Sequence, residues 1–226
     1  MSYGLQFTNN SNVVTLDSEF ARLMVIASGR FAPTEESGMG STTYFARPVT
    51  SQEPPLVFVR PDTVGAVAGL CRMRLIGSAG NWVGFYVRAY NALTAQPNGR
   101  YFVAAFGAQP ASVYGMRLWD GGGNLLFDSG TSCATFTRAF QNWSYVRDDR
   151  DAQGLTRIYY SVPFDFPQNE YMLLNTFGMN MTSGSGIPRN LYCWWDFPNN
   201  QLYAITVAAA NPYAFFLPAV FAKLAV

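Results

Sequence analysis

The sequence predicts an all-β fold of two tandem, related β-sandwich domains, immunoglobulin-like or jelly-roll-like, spanning 1–110 and 111–226. Three observations predict it. First, residues 3–18, YGLQFTNNSNVVTLDS, recur without a gap as residues 114–129, YGMRLWDGGGNLLFDS, at a spacing of 111 in a chain of 226. Second, short runs rich in aliphatic, β-branched and aromatic residues alternate with turn signals about every 8–12 residues, as in sandwiches and barrels. Third, no stretch keeps a helical period beyond two turns. The best helical rival is 17–27, where Asp17 or Ser18 would cap the first turn.

Each copy of the repeat reads as a β-hairpin. Leu5 and Phe7 alternate with Gln6 and Thr8, and Met116 and Leu118 with Arg117 and Trp119, so each strand has one buried face. Asn9-Asn10-Ser11-Asn12 and Asp120-Gly121-Gly122-Gly123 are turn formers that tolerate positive φ. Val13 to Leu16 and Asn124 to Phe127 return. Tyr3, Gly4, Asp17 and Ser18 recur as Tyr114, Gly115, Asp128 and Ser129.

In the first half the expected strands are 20–27, 43–46, 56–60, 70–76, 82–90 and 101–106. Residues 28–42 are expected as a loop. Along 70–76, Cys71, Met73 and Leu75 are expected on the core side. Residues 107–112 are the linker, because Pro110 fixes φ and cannot join a ladder. The second half, from Val113, is expected to continue with strands 133–140, 143–147, 155–162, 171–177, 191–196, 201–208 and 213–221. Residues 148–154 are expected as a charged turn and 180–188 as an exposed Gly/Ser loop. The ends of the halves also correspond, 83–91 with 203–211 and 101–105 with 215–219. Cys71 falls near the counterpart of Cys193.

Composition bounds the function. Charged residues are 13% of the chain and aromatics 16%. That balance fits an aromatic-rich core, and it equally fits a chain covered by neighbours, because interfaces favour aromatics and shed Lys and Glu. Net charge is +1, and Lys223 is the only lysine. No field or basic run draws the chain to nucleic acid or an anionic membrane. No run reaches 18 uninterrupted apolar residues. The tail 212–226 is expected as a buried terminal strand, and the N-terminus does not read as a leader. Synthesis in a cytoplasm is expected. Cys71, Cys133 and Cys193 form no metal-type pair and are expected as free thiols.

There is no histidine, which removes the commonest general base and metal ligand. No catalytic residue, cofactor site or metal site is expected. Asp149, Asp151, Gln153 and Gly154 start like a calcium loop, but position 12 is Tyr160 instead of a bidentate acid. A solvated hairpin turn is the preferred reading. Asp165, Glu170 and Asp196 are the carboxylates from which a hydrolase pair would have to be drawn. Trp194 and Trp195, with Tyr192, are the candidates for a glycan or subunit contact. Adjacent strand residues face opposite ways, so one tryptophan is expected in the core. Trp82, Trp119 and Trp143 are expected as core or subunit contacts.

Tyr3, Gly4, Leu5, Phe7, Asn9 and the strand 13–18 resemble the N-termini of small β-rich virion proteins encoded in tail gene clusters of tailed bacteriophages, especially siphophages of Gram-negative hosts. The pattern covers about 20 residues here and recurs from Tyr114. The resemblance implies a structural virion protein in the tail tip or baseplate region, not an enzyme. Its partners would be other virion proteins and copies of itself. It brings no catalytic residues. Two alternatives are a carbohydrate- or receptor-binding module that meets a host-surface glycan, and a capsid decoration protein. A single copy is the usual form, so the role of the second copy is left open.

Overall fold

The structure is a computed structural model that describes residues 6–8, 10, 14–17, 22–62, 67–90, 98–107, 113–178, 181–182, 188–208 and 215–225. The chain is all-β. Its first half runs through β1 (Gln6–Thr8), β2 (Val14–Asp17), β3 (Leu23–Phe31), β4 (Gly40–Val49), β5 (Leu56–Pro61), β6 (Val67–Ser78), β7 (Asn81–Ala89) and β8 (Gly99–Phe106). The second half continues with β9 (Arg117–Trp119), β10 (Leu125–Asp128), β11 (Cys133–Phe140), β12 (Ser144–Arg150), β13 (Thr156–Pro163) and β14 (Tyr171–Leu173). A single helical turn, α1 (Leu174–Phe177), follows. The chain ends with β15 (Met181–Thr182), β16 (Pro188–Asp196), β17 (Gln201–Ala208) and β18 (Ala219–Ala225).

Two large antiparallel sheets form. One closes on itself as a six-stranded barrel in the order β11-β18-β14-β5-β8-β3, and the other runs β12-β13-β17-β16-β6-β7-β4, with β15 beside β16. The two sequence-repeat segments form separate two-stranded hairpins, β1-β2 and β9-β10.

The expected division into independent domains at residue 110 is not how the strands pair. β16 pairs with β6 from Tyr192↔Cys71 to Asp196↔Val67. β14 pairs with β5 through Met172↔Val59 and Leu173↔Phe58. β11 meets β3 at Cys133↔Met24. The physical reason is backbone satisfaction: β5 and β6 are sheet edges within their own half, and strands of the other half supply the missing partners. The core is shared as well. One cluster joins Val57, Val103, Leu70 and Phe85 to Met172, Cys193, Trp195 and Phe221, between the barrel and the large sheet. A second, with Leu23, Phe58, Phe102, Tyr171 and Leu173, is contributed by barrel strands alone. Phe58 stacks on Phe102 at 4.6 Å.

The two halves nevertheless repeat one strand order. Outward from the seams, the barrel reads β5-β8-β3 on one side and β14-β18-β11 on the other. The large sheet reads β6-β7-β4 and β16-β17-β13. The β3-β8 ladder is bulged at Ile26 and the β11-β18 ladder at Thr137. These positions are 111 apart, the same spacing as Tyr3 and Tyr114. Carrying that spacing through the ladders places Ala104 on Ala222 and Phe58 on Leu173. Phe58 and Leu173 pair with each other, as residues on a local twofold axis must.

Among the described residues the symmetry is broken at several places, β15 beside β16 and the register break in β4 among them, and three stand out. β12 adds a strand to one side only. β14 stops after Leu173, where α1 replaces the strand expected to reach residue 177. There Asn175 takes over strand pairing with its side chain: Val57 N–H donates to Asn175 Oδ1 at 2.9 Å, and Asn175 Nδ2 donates to the Pro55 carbonyl at 3.0 Å. The third break is a bulge in β6 between Cys71 and Arg74, with Arg72 at φ 50.

That bulge splits the face expected along 70–76: Met73 is in the main core and Leu75 packs against it, as expected, but Leu70 joins them and Cys71 does not. Cys71 lies beside Arg88 in the register. Residues 28–31 and 40–42, expected as loop, belong to β3 and β4. Residues 148–150, expected as turn, extend β12. Of the helical rival at 17–27, Asp17 and 23–27 are strand and Arg22 belongs to no element. β18 starts later than the expected 213, and register matches β8 to it, not to 215–219. The spacing of 120 for 83–91 would place core-facing Phe85 on Ile205, which belongs to the opposite face. The linker, apart from Gly107, and most of loop 180–188 lie outside the described residues.

Two outcomes follow. A protease site inserted between Gln109 and Pro110 leaves two fragments that co-elute after cleavage and part only in denaturant; independent domains would separate on the column. Asn175→Ala strands the Val57 donor of β5 and the Pro55 acceptor just before it, and costs about 2 kcal/mol in urea unfolding.

Candidate functional site

Tyr192, Trp194 and Trp195 all lie on β16, next to the seam with β6. The structure separates them. Trp195 is 3% exposed and faces the barrel in the main core. Tyr192 and Trp194 point to the outer face, as period two requires. There Trp194 meets Tyr90 at 4.9 Å with rings at 90°, Tyr159 at 5.6 Å and Tyr203 at 6.2 Å. Tyr90 also meets Tyr192 at 5.1 Å. A Cβ on Gly69 would lie 2.8 Å from Trp194 Cδ1, so only glycine lets the indole sit on the strand. Trp194 Nε1 is buried without a partner among the described residues. A sugar-stacking platform needs an open ring face, whereas these rings are packed edge to face against one another.

The cluster continues onto β12 and β13. Arg157 Nε bonds Asp149 and its Nη1 bonds the Tyr90 hydroxyl at 3.2 Å. Arg147 lies 3.9 Å over the Tyr159 ring and pairs with Asp149. Asp149 is therefore held in a strand by two arginines. Asp151 Oδ1 accepts from Gln153 N–H and Leu155 N–H, so the acidic segment ends in a side-chain-stabilised turn. The hydrolase candidates are also occupied. Arg138 Nη2 lies 2.8 Å from both Asp165 and Glu170, and Asp196 accepts from Asn199.

Sequence reasoning missed a second cluster, on β6 and β7. A turn with Glu36 at φ 49, Ser37 at φ 60 and Gly38 at φ 86 carries Glu36 over the sheet. The Tyr86 hydroxyl and Arg88 Nε donate to its carboxylate, the latter at 2.7 Å. Arg74 lies 4.6 Å over the Tyr86 ring. The bonds from Tyr86 and Arg88 hold Glu36 below its ordinary value of 4.5. Burial, helped by Glu36, pushes the Tyr86 hydroxyl up to about 12. Burial pushes the Cys71 thiol up to about 11 and raises Cys193 as well. Neither thiol is a nucleophile near neutral pH.

The second hairpin explains most of the repeat. Gly115 has φ 132, and a Cβ there would meet Ser129 Oγ at 2.2 Å. Ser129 Oγ accepts from Met116 N–H. Asp128 is buried, pairs with Arg117 at 2.7 Å and accepts from Gly130 N–H. Gly, Asp and Ser are thus structural. Tyr114 is 88% exposed, with Val113 at 91% and Trp119 at 51% beside it. The other aromatics divide. Trp82 Nε1 bonds the Ser51 carbonyl and Trp143 Nε1 the Leu217 carbonyl, both half-buried.

The free edges of the large sheet are blunted. β4 breaks register with β7 between Tyr44 and Val49 and carries Pro48. β12 is bulged and bears Arg147, Asp148, Asp149 and Arg150. Both devices discourage strand addition. Contact through side chains on the hairpin and the faces is what the surface leaves available.

Compared with family models, with curated proteins and with solved structures, the chain finds no match in any of the three. Its class therefore rests on the geometry: an all-β protein with a shared core, two hairpins and aromatic–arginine clusters on one sheet face.

Glu36 carries a pH expectation. Its folded-state pKa is depressed, so its contribution is complete above its ordinary value and fades as pH falls through the lower one. Glu36→Gln should flatten the urea midpoint against pH in that acid window and leave it parallel to wild type at neutral pH. Asp120 and Asp165 are also lowered, so part of the acid sensitivity persists in the variant.

Proposed function

We propose that this chain is a non-enzymatic structural protein of a tailed-bacteriophage virion, assembled in the tail tip or baseplate region with other virion proteins and copies of itself. We further propose that it arose by duplication of a unit of about 110 residues, whose two copies now share one core. The observation that carries the assembly reading is the hairpin surface. Val113, Tyr114 and Trp119 are exposed in a chain whose large sheet has blunted backbone edges. Tyr114 recurs in the sequence as Tyr3, at the same place before each hairpin. Aromatic residues on a polar surface are what interfaces select.

The experiment is incorporation. Virions of the phage encoding the chain are purified and their proteins identified by mass spectrometry, with wild type and Tyr114→Ala/Trp119→Ala compared. The wild-type chain is expected in the particle. The double variant should keep its melting temperature in isolation and be depleted from particles at least tenfold. Absence of the wild-type chain from purified virions would overturn the proposal.

A further inference from the structure

The two halves act as each other's control. β6-β7 and β16-β17 occupy corresponding places beside the central seam. The β16-β17 ladder runs without a break from Asn190↔Val207 to Asp196↔Gln201. Its outward side chains, Tyr192, Trp194, Tyr203, Ile205 and Val207, make a closed aromatic and aliphatic cluster. The fold therefore requires neither a bulge nor charge at this position.

β6-β7 has both. The bulge sets two residues, Arg72 and Met73, against Val87, and Arg72 takes φ 50, where glycine is the usual occupant. Side chains at bulges are re-aimed, and left-handed non-glycine residues concentrate at functional sites. Here the re-aimed side chain is an exposed arginine. Exposed Arg74 lies beside it over Tyr86, and Arg88 opposite Cys71 binds Glu36. Arg72 and Arg88 both act on Glu36 and Cys71. Arg88 by contact and Arg72 by its field thus act on one carboxylate, and Arg74 lies over the ring of the tyrosine that donates to it. The other acid of the turn, Glu35, is turned to Thr42 N–H and its hydroxyl. In a chain of net charge +1, this is a local excess of positive charge with planar donors.

We propose that Arg72 and Arg74, supported by Arg88 and Tyr86, form a binding site for an oxyanion, a phosphate group either free or borne on a sugar. Guanidinium forks match phosphate in two-point geometry. Arg88 is a positioning residue, because its Nε is engaged by Glu36. Arg72 and Arg74 carry the contact. This site is separate from the hairpin surface and stands whether or not the chain belongs to a virion.

The test uses the full chain and calorimetric titration at low salt, because screening weakens exposed charge contacts. The probes are inorganic phosphate, a phosphorylated lipopolysaccharide core oligosaccharide and the same oligosaccharide dephosphorylated. Wild type is expected to bind at least one phosphate probe and to lose at least tenfold on dephosphorylation of the sugar. Equal affinity for both phosphate probes assigns the site to the free anion; preference for the oligosaccharide assigns it to the sugar-borne group. Arg72→Gly is the decisive variant, because glycine suits φ 50 and keeps the bulge. It should melt within about 3 °C of wild type and bind at least tenfold more weakly; Arg74→Gln should lose affinity likewise. Undiminished binding by Arg72→Gly would overturn the proposal. So would no binding of either phosphate probe up to about 10 mM, or tighter binding of an oligothymidylate than of both.

Discussion

The structure depends on the antiparallel seams that join its halves. A strand at a sheet edge leaves a row of donors and acceptors that must find partners or water. β5 and β6 are such edges within residues 1–110, and β14 and β16 are such edges within the rest. Pairing β5 with β14 and β6 with β16 removes both liabilities together and brings Leu70, Cys193, Ala68 and Trp195 onto one face. The core between barrel and large sheet exists only because the seams are closed. Burial and backbone pairing are therefore one event here, and neither half has a complete version of either.

This explains how much of the fold was legible. Strand existence was, because period two and turn residues are local: the hairpin ladders Gln6↔Asp17 and Arg117↔Asp128 fall within the segments read as hairpins. The bulges at Ile26 and Thr137 stand at the spacing of the sequence repeat. Domain separation was not legible, because a two-copy sequence reads alike whether each copy closes on itself or on its neighbour. Which edge pairs with which is a long-range fact with no local mark. The β6 bulge upset the face assignment at Leu70 and Cys71, though not at Met73 and Leu75, for the same reason. Arg72 is not a residue whose identity announces a left-handed conformation, as Gly or Asn would. The helical turn after Leu173 was hidden because Leu174 and Phe177 are as apolar as strand residues, and Asn175 has meaning only beside Pro55 and Val57.

The site divides along the same line. That Trp194 and Trp195 face opposite ways follows from strand geometry alone. What covers Trp194 does not: Tyr90 and Tyr159 come from distant strands, and Gly69 matters only because the indole crosses it. Glu36, Tyr86 and Arg88 were invisible for the same reason, being about 50 residues apart in sequence and joined by a turn with two left-handed non-glycine residues. Those two residues were the available signal, and they are seen only in backbone angles.

Holding both halves in one chain has a consequence beyond stability. In a dimer of identical subunits every substitution is made twice, so a change that helps one side is forced upon the other. A single chain is released from that constraint. Among the described residues, β12, α1 with Asn175, and the arginine-bearing bulge of β6 each occur on one side only, with no twin to disrupt. The approximate twofold supplies a frame in which one flank can specialise while its counterpart keeps the frame intact.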